Sequence, residues 1–472
     1  MPARRNRRRR AAALPALLVC LIALAGAAGT ATAEPQQPAQ EPAVRLSLPQ
    51  AQALAQQALA KGQPKTALTL SEGLIKAEPD NGHAHFIRAH ALGQLAQYRT
   101  GQQAAATAYR IAKTDVQRFE AAKLAAELAF ADKRFTPSQL WLRRAVHYAP
   151  SDEVRDDYVV AFRNVRHRNP LSFNLRFSVT PSDNVNNGAN SPYNLIEGSP
   201  LIGALSPSAQ AISGVVAKTD LTGSYRIHQA EGHETRLTGR VLSNEVRLNN
   251  PVPGISGSDL SSLRAQIGLT HLWAPGKDGY WRFEVNGGRT WYGRSPFYDF
   301  AGVGVSRVQK LGEKLSLSIG TQLEEQQGRS SGGGRDASVW SAFAGLGWGL
   351  PGGGRLRTDL LYRDVDSDGV NRTSRQWSAQ VNYAMGRAVG PADISFTLGR
   401  STLDYDEYWV ITPVPGGRVD ESWFGGATAS FSGWSYMGFV PELSLTAERS
   451  RSNISRFDVD QTAVSLGIRS EF

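Results

Sequence analysis

The feature that most constrains this chain is a change of hydrophobic period at Asn169-Pro170. Before this point apolar residues recur at helical spacing, whereas beyond it apolar and polar residues alternate, as in Leu171, Phe173 and Leu175 with their polar neighbours. Alternation with a period of two is typical of strands. Composition changes at the same place, because 40 of the 47 Gly and 9 of the 10 Trp follow residue 170. The sequence therefore predicts a helical half followed by an all-β half.

Fourteen segments carry the alternation, an even number, and most have the roughly 9–11 residues that a tilted membrane strand needs. The predicted strands are 171–180, 215–228, 233–246, 261–274, 280–291, 297–309, 314–326, 337–349, 355–366, 373–386, 392–403, 420–432, 439–451 and 458–472.

Three further features favour a membrane barrel over a soluble β protein. Charged residues occupy the polar face at mid-strand, where a soluble barrel of this size would be apolar; they are Arg176, Arg264, Glu284, Arg357, Asp359, Glu442, Glu448 and Arg469. Tryptophans stand near strand ends, where interfacial girdles form; they are Trp273, Trp281, Trp291, Trp340, Trp348, Trp409 and Trp423. Short connections also alternate with longer ones. Residues 169–472 are therefore predicted to form a 14-stranded antiparallel transmembrane β-barrel.

The chain ends on a strand whose apolar face carries Val464, Leu466, Ile468 and the terminal Phe472. We expect these four residues to form the signal that the barrel assembly machinery recognises.

Residues 47–168 are rich in alanine, with helix-stop signals at Asp80, Asp115 and Asp152. A helix pair repeating at about 34 residues resembles tetratricopeptide repeats. Six or seven helices fit, so we predict an all-α tetratricopeptide-like solenoid. Such solenoids offer a concave groove for an extended peptide or a protein, and the alternative is a helical spacer without a ligand.

The N-terminus has the order of a secretory signal peptide. A basic segment with six Arg precedes an apolar run and a small-residue cleavage site between Ala33 and Glu34. We predict a signal peptide at 1–33 and a Pro/Gln-rich linker at 34–46, the alternatives being an uncleaved anchor or, because Cys20 lies in the run, a lipoprotein signal. Without residues 1–33 the charge falls from +10 to +4, which argues against nucleic acid as a partner.

Neither catalysis nor a cofactor is predicted, and no residue is assigned to a metal. The β half holds only His228, His233 and His271, at strand ends and without a G-x-S-x-G element beside them. His228 and His233 flank a short turn and are candidates to pair across strands, but a metal there lacks further ligands. His83 and His85 are interpreted as solvated helix residues.

Three local motifs resemble the surface lipoprotein assembly modifier family: Pro170 to Phe173, Pro181 to Asn186, and Glu448 to Ile454. The first two are similar to the family's barrel entry and the third to its closing hairpin. The resemblance covers nearly all of residues 47–472. It implies a periplasmic helical domain, an outer-membrane barrel of a Gram-negative bacterium, and no catalytic residues.

The resemblance also implies a function: an outer-membrane translocator that delivers client proteins from the periplasm to the cell surface. The clients would be surface lipoproteins or secreted binding proteins, and the other partners the barrel assembly machinery and outer-membrane lipid. The alternatives are a porin-like channel and a polysaccharide exporter, although a simple porin does not need the helical domain.

Overall fold

The computed structural model describes residues 46–200, 202–329 and 333–470, of which those from Leu48 onward belong to one compact unit. Several sequence predictions lie outside the described residues: the signal peptide at 1–33, the cleavage site at Ala33 and Glu34, almost all of the linker, and Phe472.

Seven helices precede the barrel in the described part of the chain. They are α1 (Leu48–Ala60), α2 (Pro64–Ala77), α3 (Gly82–Gln94), α4 (Tyr98–Ile111), α5 (Asp115–Ala131), α6 (Phe135–His147) and α7 (Asp152–Arg168). Each helix packs on the next, and α3 also contacts α1 and α5, as in a stack of helix pairs. Hydrogen-bonding side chains cap three of them: Asn81 accepts from the Ala84 amide, Thr114 from Gln117, and Ser151 from Val154. The stop signals in the sequence are thus also helix starts.

Small residues let these helices approach closely. Ala89, Ala105 and Ala125 are fully buried, and Leu92 and Leu128 pack against them. None of the described helices is both long enough and apolar enough to cross a membrane.

Fourteen strands close into an antiparallel barrel, which confirms the predicted fold class. They are β1 (Leu171–Ser182), β4 (Gly214–Ala230), β5 (His233–Leu248), β6 (Ser262–Gly276), β7 (Gly279–Tyr292), β8 (Ser295–Lys310), β9 (Leu315–Gly328), β10 (Ala337–Gly349), β11 (Arg355–Ser367), β12 (Ser374–Ala384), β13 (Asp393–Tyr405), β14 (Arg418–Ser430), β15 (Phe439–Ser452) and β16 (Val459–Ser470). Consecutive barrel strands are neighbours, and β1 closes the barrel by pairing with both β4 and β16. The "helical end" of the barrel is the end where β1 begins, directly after α7, and the "distal end" is the opposite one.

Three features of the distal connections were not predicted. The connection between β1 and β4 carries a small sheet of its own, β2 (Tyr193–Leu195) with β3 (Ile202–Ala204), and α8 (Gly257–Leu260) lies between β5 and β6. Strands β7 and β8 are joined by only two residues, Gly293 and Arg294, both at positive φ (57° and 64°). This tight turn is an exception to the predicted alternation, in which the distal connections are the longer ones. It was not predicted because Gly-Arg is not one of the pairs that usually signal such a turn.

Candidate functional site

The inner wall of the barrel is polar. Arg264 of β6 donates to Glu324 of β9 at 2.7 Å although two strands lie between them. This ion pair therefore crosses part of the barrel interior. Arg240 of β5 makes two hydrogen bonds to Asp220 of β4, at 2.8 and 2.7 Å. A water-accessible cavity of about 890 Å³ lies beside these groups.

The strand registers place every charged residue predicted for the polar face on this inner wall. They are Arg176, Arg264, Glu284, Arg357, Asp359, Glu442, Glu448 and Arg469. Opposite signs meet there, as in the contact of 2.7 Å between Arg469 and Glu442. The inner wall thus carries charges of both signs, several of them paired with one another.

Aromatic rings also point inward, which the sequence analysis missed. The ring of Phe424 lies against Gly399, as Phe343 does against Gly320. Phe300 is buried, and the Arg264 guanidinium stacks 3.5 Å from its ring centroid. A glycine opposite each ring on the neighbouring strand could have indicated these inward rings. That signal cannot be used without the register between the two strands, which the sequence of one strand does not give.

The outer wall is apolar and exposed. Leu466, Ile267 and Leu398 are 66%, 61% and 60% accessible and face outward. Of the predicted girdle residues, Trp340, Trp348 and others stand on this wall, whereas Trp409 lies in the distal connection between β13 and β14. A closed barrel that is apolar outside and wet inside supports an outer-membrane location and a channel architecture.

Near the distal end the outer wall becomes charged. Arg400 contacts Glu421 at 3.0 Å, and Arg451 contacts Asp460 at 2.6 Å. This is where strands would leave the hydrocarbon for a polar headgroup layer.

Three of the four residues predicted as the assembly signal share the outer face of the last strand. Val464 and Leu466 are 51% and 66% exposed, and Ile468 pairs with Phe177 on the same face. Their role in assembly stays a prediction.

The helices dock onto the helical end of the barrel. Tyr436, in the turn between β14 and β15, meets His147 of α6 edge to face, with ring centroids 4.8 Å apart. On β4, Arg226 donates to the carbonyls of His167 and Arg168 at 2.9 and 3.2 Å. The end of α7 is therefore held against the barrel wall.

A groove runs across α3, α4 and α5. It encloses about 230 Å³ and is lined by Phe86, Val116 and Glu120 among others. Lys123 and Glu127 are on α5, and burial is the main cause that raises the pKa of Glu127, with the charge of Lys123 opposing it. Of these charged groups Glu120 lines the pocket, and Lys123 lies 3.6 Å from it.

The histidines do not form a metal site among the described residues. The interpretation of His85 as solvated is wrong, because it is buried and its Nε2 contacts the Pro79 carbonyl at 3.0 Å. His83 is half-buried and lines the groove. In the barrel the pair is His233 with His271, ring nitrogens 3.4 Å apart, whereas His228 is in register with Thr235.

Two of the motifs quoted for the family resemblance meet at the distal end. Asn184, only 2% exposed, exchanges two hydrogen bonds of 2.8 Å with the Gly188 backbone. Asn453 accepts from the Val419 amide at 2.9 Å. Between them Ile196 forms a β-bridge with the buried Ile454. The β1–β4 connection therefore lies across the β15–β16 connection, and we call this contact the strap.

This strap crosses the shortest ladder of the barrel. Among described residues, β1 and β16 are in register only from Arg176–Val179 opposite Leu466–Arg469, whereas every other pair of barrel neighbours is in register over a longer stretch.

Solved structures with a similar fold include outer-membrane channels. The outer membrane channel DcaP of Acinetobacter baumannii matches at 10% identity and a TM-score of 0.37, over 64% of this chain and 97% of that one. A bacterial polysaccharide outer membrane secretin matches at 10% identity and 0.34, over 64% and 98%. A BenF-like porin from Pseudomonas fluorescens Pf-5 matches at 10% identity and 0.31, over 64% and 98%. No protein-family model and no curated protein matches the chain.

Proposed function

We propose that this protein is an outer-membrane translocator that delivers client proteins, surface lipoproteins or secreted binding proteins, from the periplasm to the cell surface. The observation that carries the proposal is the docking of a grooved helical stack against one mouth of a wide barrel with a wet, mixed-charge wall. A channel for small solutes gains nothing from such a stack.

The helical groove would receive the client first. Its apolar pocket fits one side chain of an extended segment, and Glu120 in its wall, with Lys123 at 3.6 Å from it, provides contacts of both signs. Because the stack is held at the barrel mouth, binding there raises the local concentration of client at the pore and replaces a three-dimensional search.

The barrel would then give passage. Its inner charges are largely paired with one another, as in Arg264 with Glu324 and Arg240 with Asp220, so no deep well of one sign retains a polypeptide. The inward phenylalanines narrow this path, which favours an unfolded or partly folded client over a folded one.

The mechanism requires the helices to lie in the periplasm. An epitope inserted in 190–210 should then be labelled on intact cells, whereas one at 352–353, on the helical end, should be labelled only after permeabilisation. The opposite pattern would place the helices outside the cell and reject the mechanism.

Deletion of 48–168 tests the division of labour. We expect normal barrel insertion, scored by heat-modifiable gel mobility, but loss of the client from the surface. The client assayed is the protein encoded by the neighbouring gene, and its exposure is scored by protease shaving of cells that make it. Full client display by the barrel alone would leave the helices as a spacer and favour a channel for solutes or polysaccharide.

A point variant separates the groove from the rest of the stack. Val116 is 58% exposed and lines the groove, so Val116→Asp should reduce client display. Val160 of α7 is 52% exposed and outside the groove, which makes Val160→Asp the matched control. Equal display by the two variants would contradict groove binding.

A further inference from the structure

A basic cleft of about 570 Å³ lies between the helices and the barrel. Its helical wall comes from α6 and α7, and its barrel wall is the turn from Ser432 to Gly438. Three of the lining residues are arginines and one is an aspartate: Arg143, Arg155 and Arg163, against Asp156. Arg155 has a further carboxylate, Asp152, at 3.8 Å on its own helix. The cleft therefore has an excess of positive charge.

Arg143 is held in place by two aromatic rings. Its guanidinium lies 5.6 Å from the ring centroid of Phe162 in α7 and 5.8 Å from that of Phe439 in β15. Burial lowers the pKa of Arg143, and the like charge of nearby Arg166 lowers it further. The fold thus holds a partly buried cation in the wall of the cleft, where an anion would be attracted to it.

The barrel wall of the cleft has the chemistry of a membrane interface. Trp434 and Tyr436 are 60% and 59% exposed, and Trp434 stacks on Phe431 with ring centroids 4.7 Å apart. Amphipathic rings at the end of a membrane wall lie at headgroup level. The cleft would therefore open beside the headgroups of the inner leaflet. This placement rests on the proposed function in one respect, the periplasmic position of the helices.

We propose that this cleft binds a phosphate group, carried by a phospholipid headgroup or free in solution. Guanidinium groups suit phosphate because they donate parallel hydrogen bonds to two of its oxygens. A bound phosphate would bridge Arg143 and Arg163 of the helices at their contact with the Ser432–Gly438 turn, and so clamp the helical stack to the barrel mouth.

The test uses the full chain, delipidated in detergent, and native mass spectrometry with two probes: phosphatidylglycerol and inorganic phosphate. The double variant R143Q/R163Q should bind the effective probe about tenfold more weakly than the wild type, since it removes two charged donors. The control R99Q/R110Q removes the same charge from α4, outside the cleft, and should bind as the wild type does. Binding of phosphatidylglycerol alone identifies a headgroup, and equal competition by inorganic phosphate identifies a free phosphate.

Equal binding of both probes by R143Q/R163Q and the wild type would overturn the proposal. The single variant R163Q guards against misfolding, because Arg163 is exposed on α7 and its loss leaves the Phe162 packing intact. It should weaken binding by a smaller factor with an unchanged helical melting curve, and unchanged binding by R163Q would also contradict the bridge. Client display by the helical deletion reports on the proposed function separately.

Discussion

The helical stack and the barrel bury residues of opposite polarity. In the stack, Ala89 and Ala105 are fully buried and Leu92 is 2% exposed, so apolar residues lie inside. In the barrel, Leu398 is 60% exposed while Glu324 is 8% exposed. One physical rule gives both results, because apolar faces turn away from water in each half, and the proposed bilayer lies outside the barrel. Each half should therefore fail in its own way.

The largest difference is expected at the C-terminus. Deletion of Phe472 should remove most of the barrel from the outer membrane, since Phe472 is predicted to be part of the assembly signal of the barrel, while the helical stack should still fold. Outer-membrane yield and gel mobility measure the first effect, and protease resistance of the stack measures the second. Wild-type yield of the truncated chain would show that Phe472 is not part of the signal.

A single charge should separate the two faces of one strand. Leu445 of β15 is 50% exposed on the outer wall, and Leu445→Arg should cost about 2–4 kcal/mol of barrel stability if it lies at the bilayer midplane. Ser444 is adjacent and faces inward, with its hydroxyl 2.9 Å from that of Thr428, so Ser444→Arg should be nearly neutral. Urea unfolding in lipid vesicles compares the two. Equal losses would mean that the inner wall is not wet.

The sequence predicted much of the barrel because alternation is a local signal. The predicted strand 337–349 coincides with β10, and 420–432 is displaced by two residues at each end from β14. Because alternate residues of a strand share one face, the same alternation also identified which charged residues face inward. The inward Phe343 and the strap from Ile196 to Ile454 could not be predicted, because each depends on which strands become neighbours.

The helical half was predictable in a different way. Its caps were visible as turn signals and a groove was expected, yet the residues that line it were not predicted, since residues far apart such as Phe86 and Val116 come together there. His85 shows the same limit: its partner is a backbone carbonyl, that of Pro79, which no side-chain pattern indicates.

Helix packing should tolerate less added volume than an open helix surface. A Cβ on Gly101 of α4 would lie 3.1 Å from the Ala89 carbonyl oxygen and 3.2 Å from Leu128, whereas one on Gly73 of α2 would meet nothing within 4 Å. Gly101→Val should therefore cost the stack about 1–3 kcal/mol. Gly73→Val makes the same change of helix propensity without the clash. Chemical denaturation followed by helical circular dichroism gives the difference, and equal losses would indicate a loosely packed stack.

The smallest expected effect is a pH dependence confined to the helical stack. Burial lowers the pKa of His90 below its ordinary value of 6.5, with Lys123 also lowering it and Glu120 opposing, and burial lowers that of His83 as well. Below pH 6.5 the unfolded chain therefore binds more protons than the folded stack. The contribution of these two histidines to the stability of the stack is complete above that pH and is lost as the pH falls through their folded pKa values.

Burial acts with the opposite sign on Glu127, whose raised pKa reduces stability as the pH rises above its ordinary value of 4.5. The two trends overlap between the two ordinary values, so the histidine term is isolated by substitution. His90→Gln should flatten the fall in the helical melting temperature between about pH 7.5 and pH 5.5 by a few degrees. His167→Gln, at an exposed position on α7, should keep the full slope. An unchanged slope in His90→Gln would show that the acid sensitivity of the stack, if any, comes from His83 or the carboxylates.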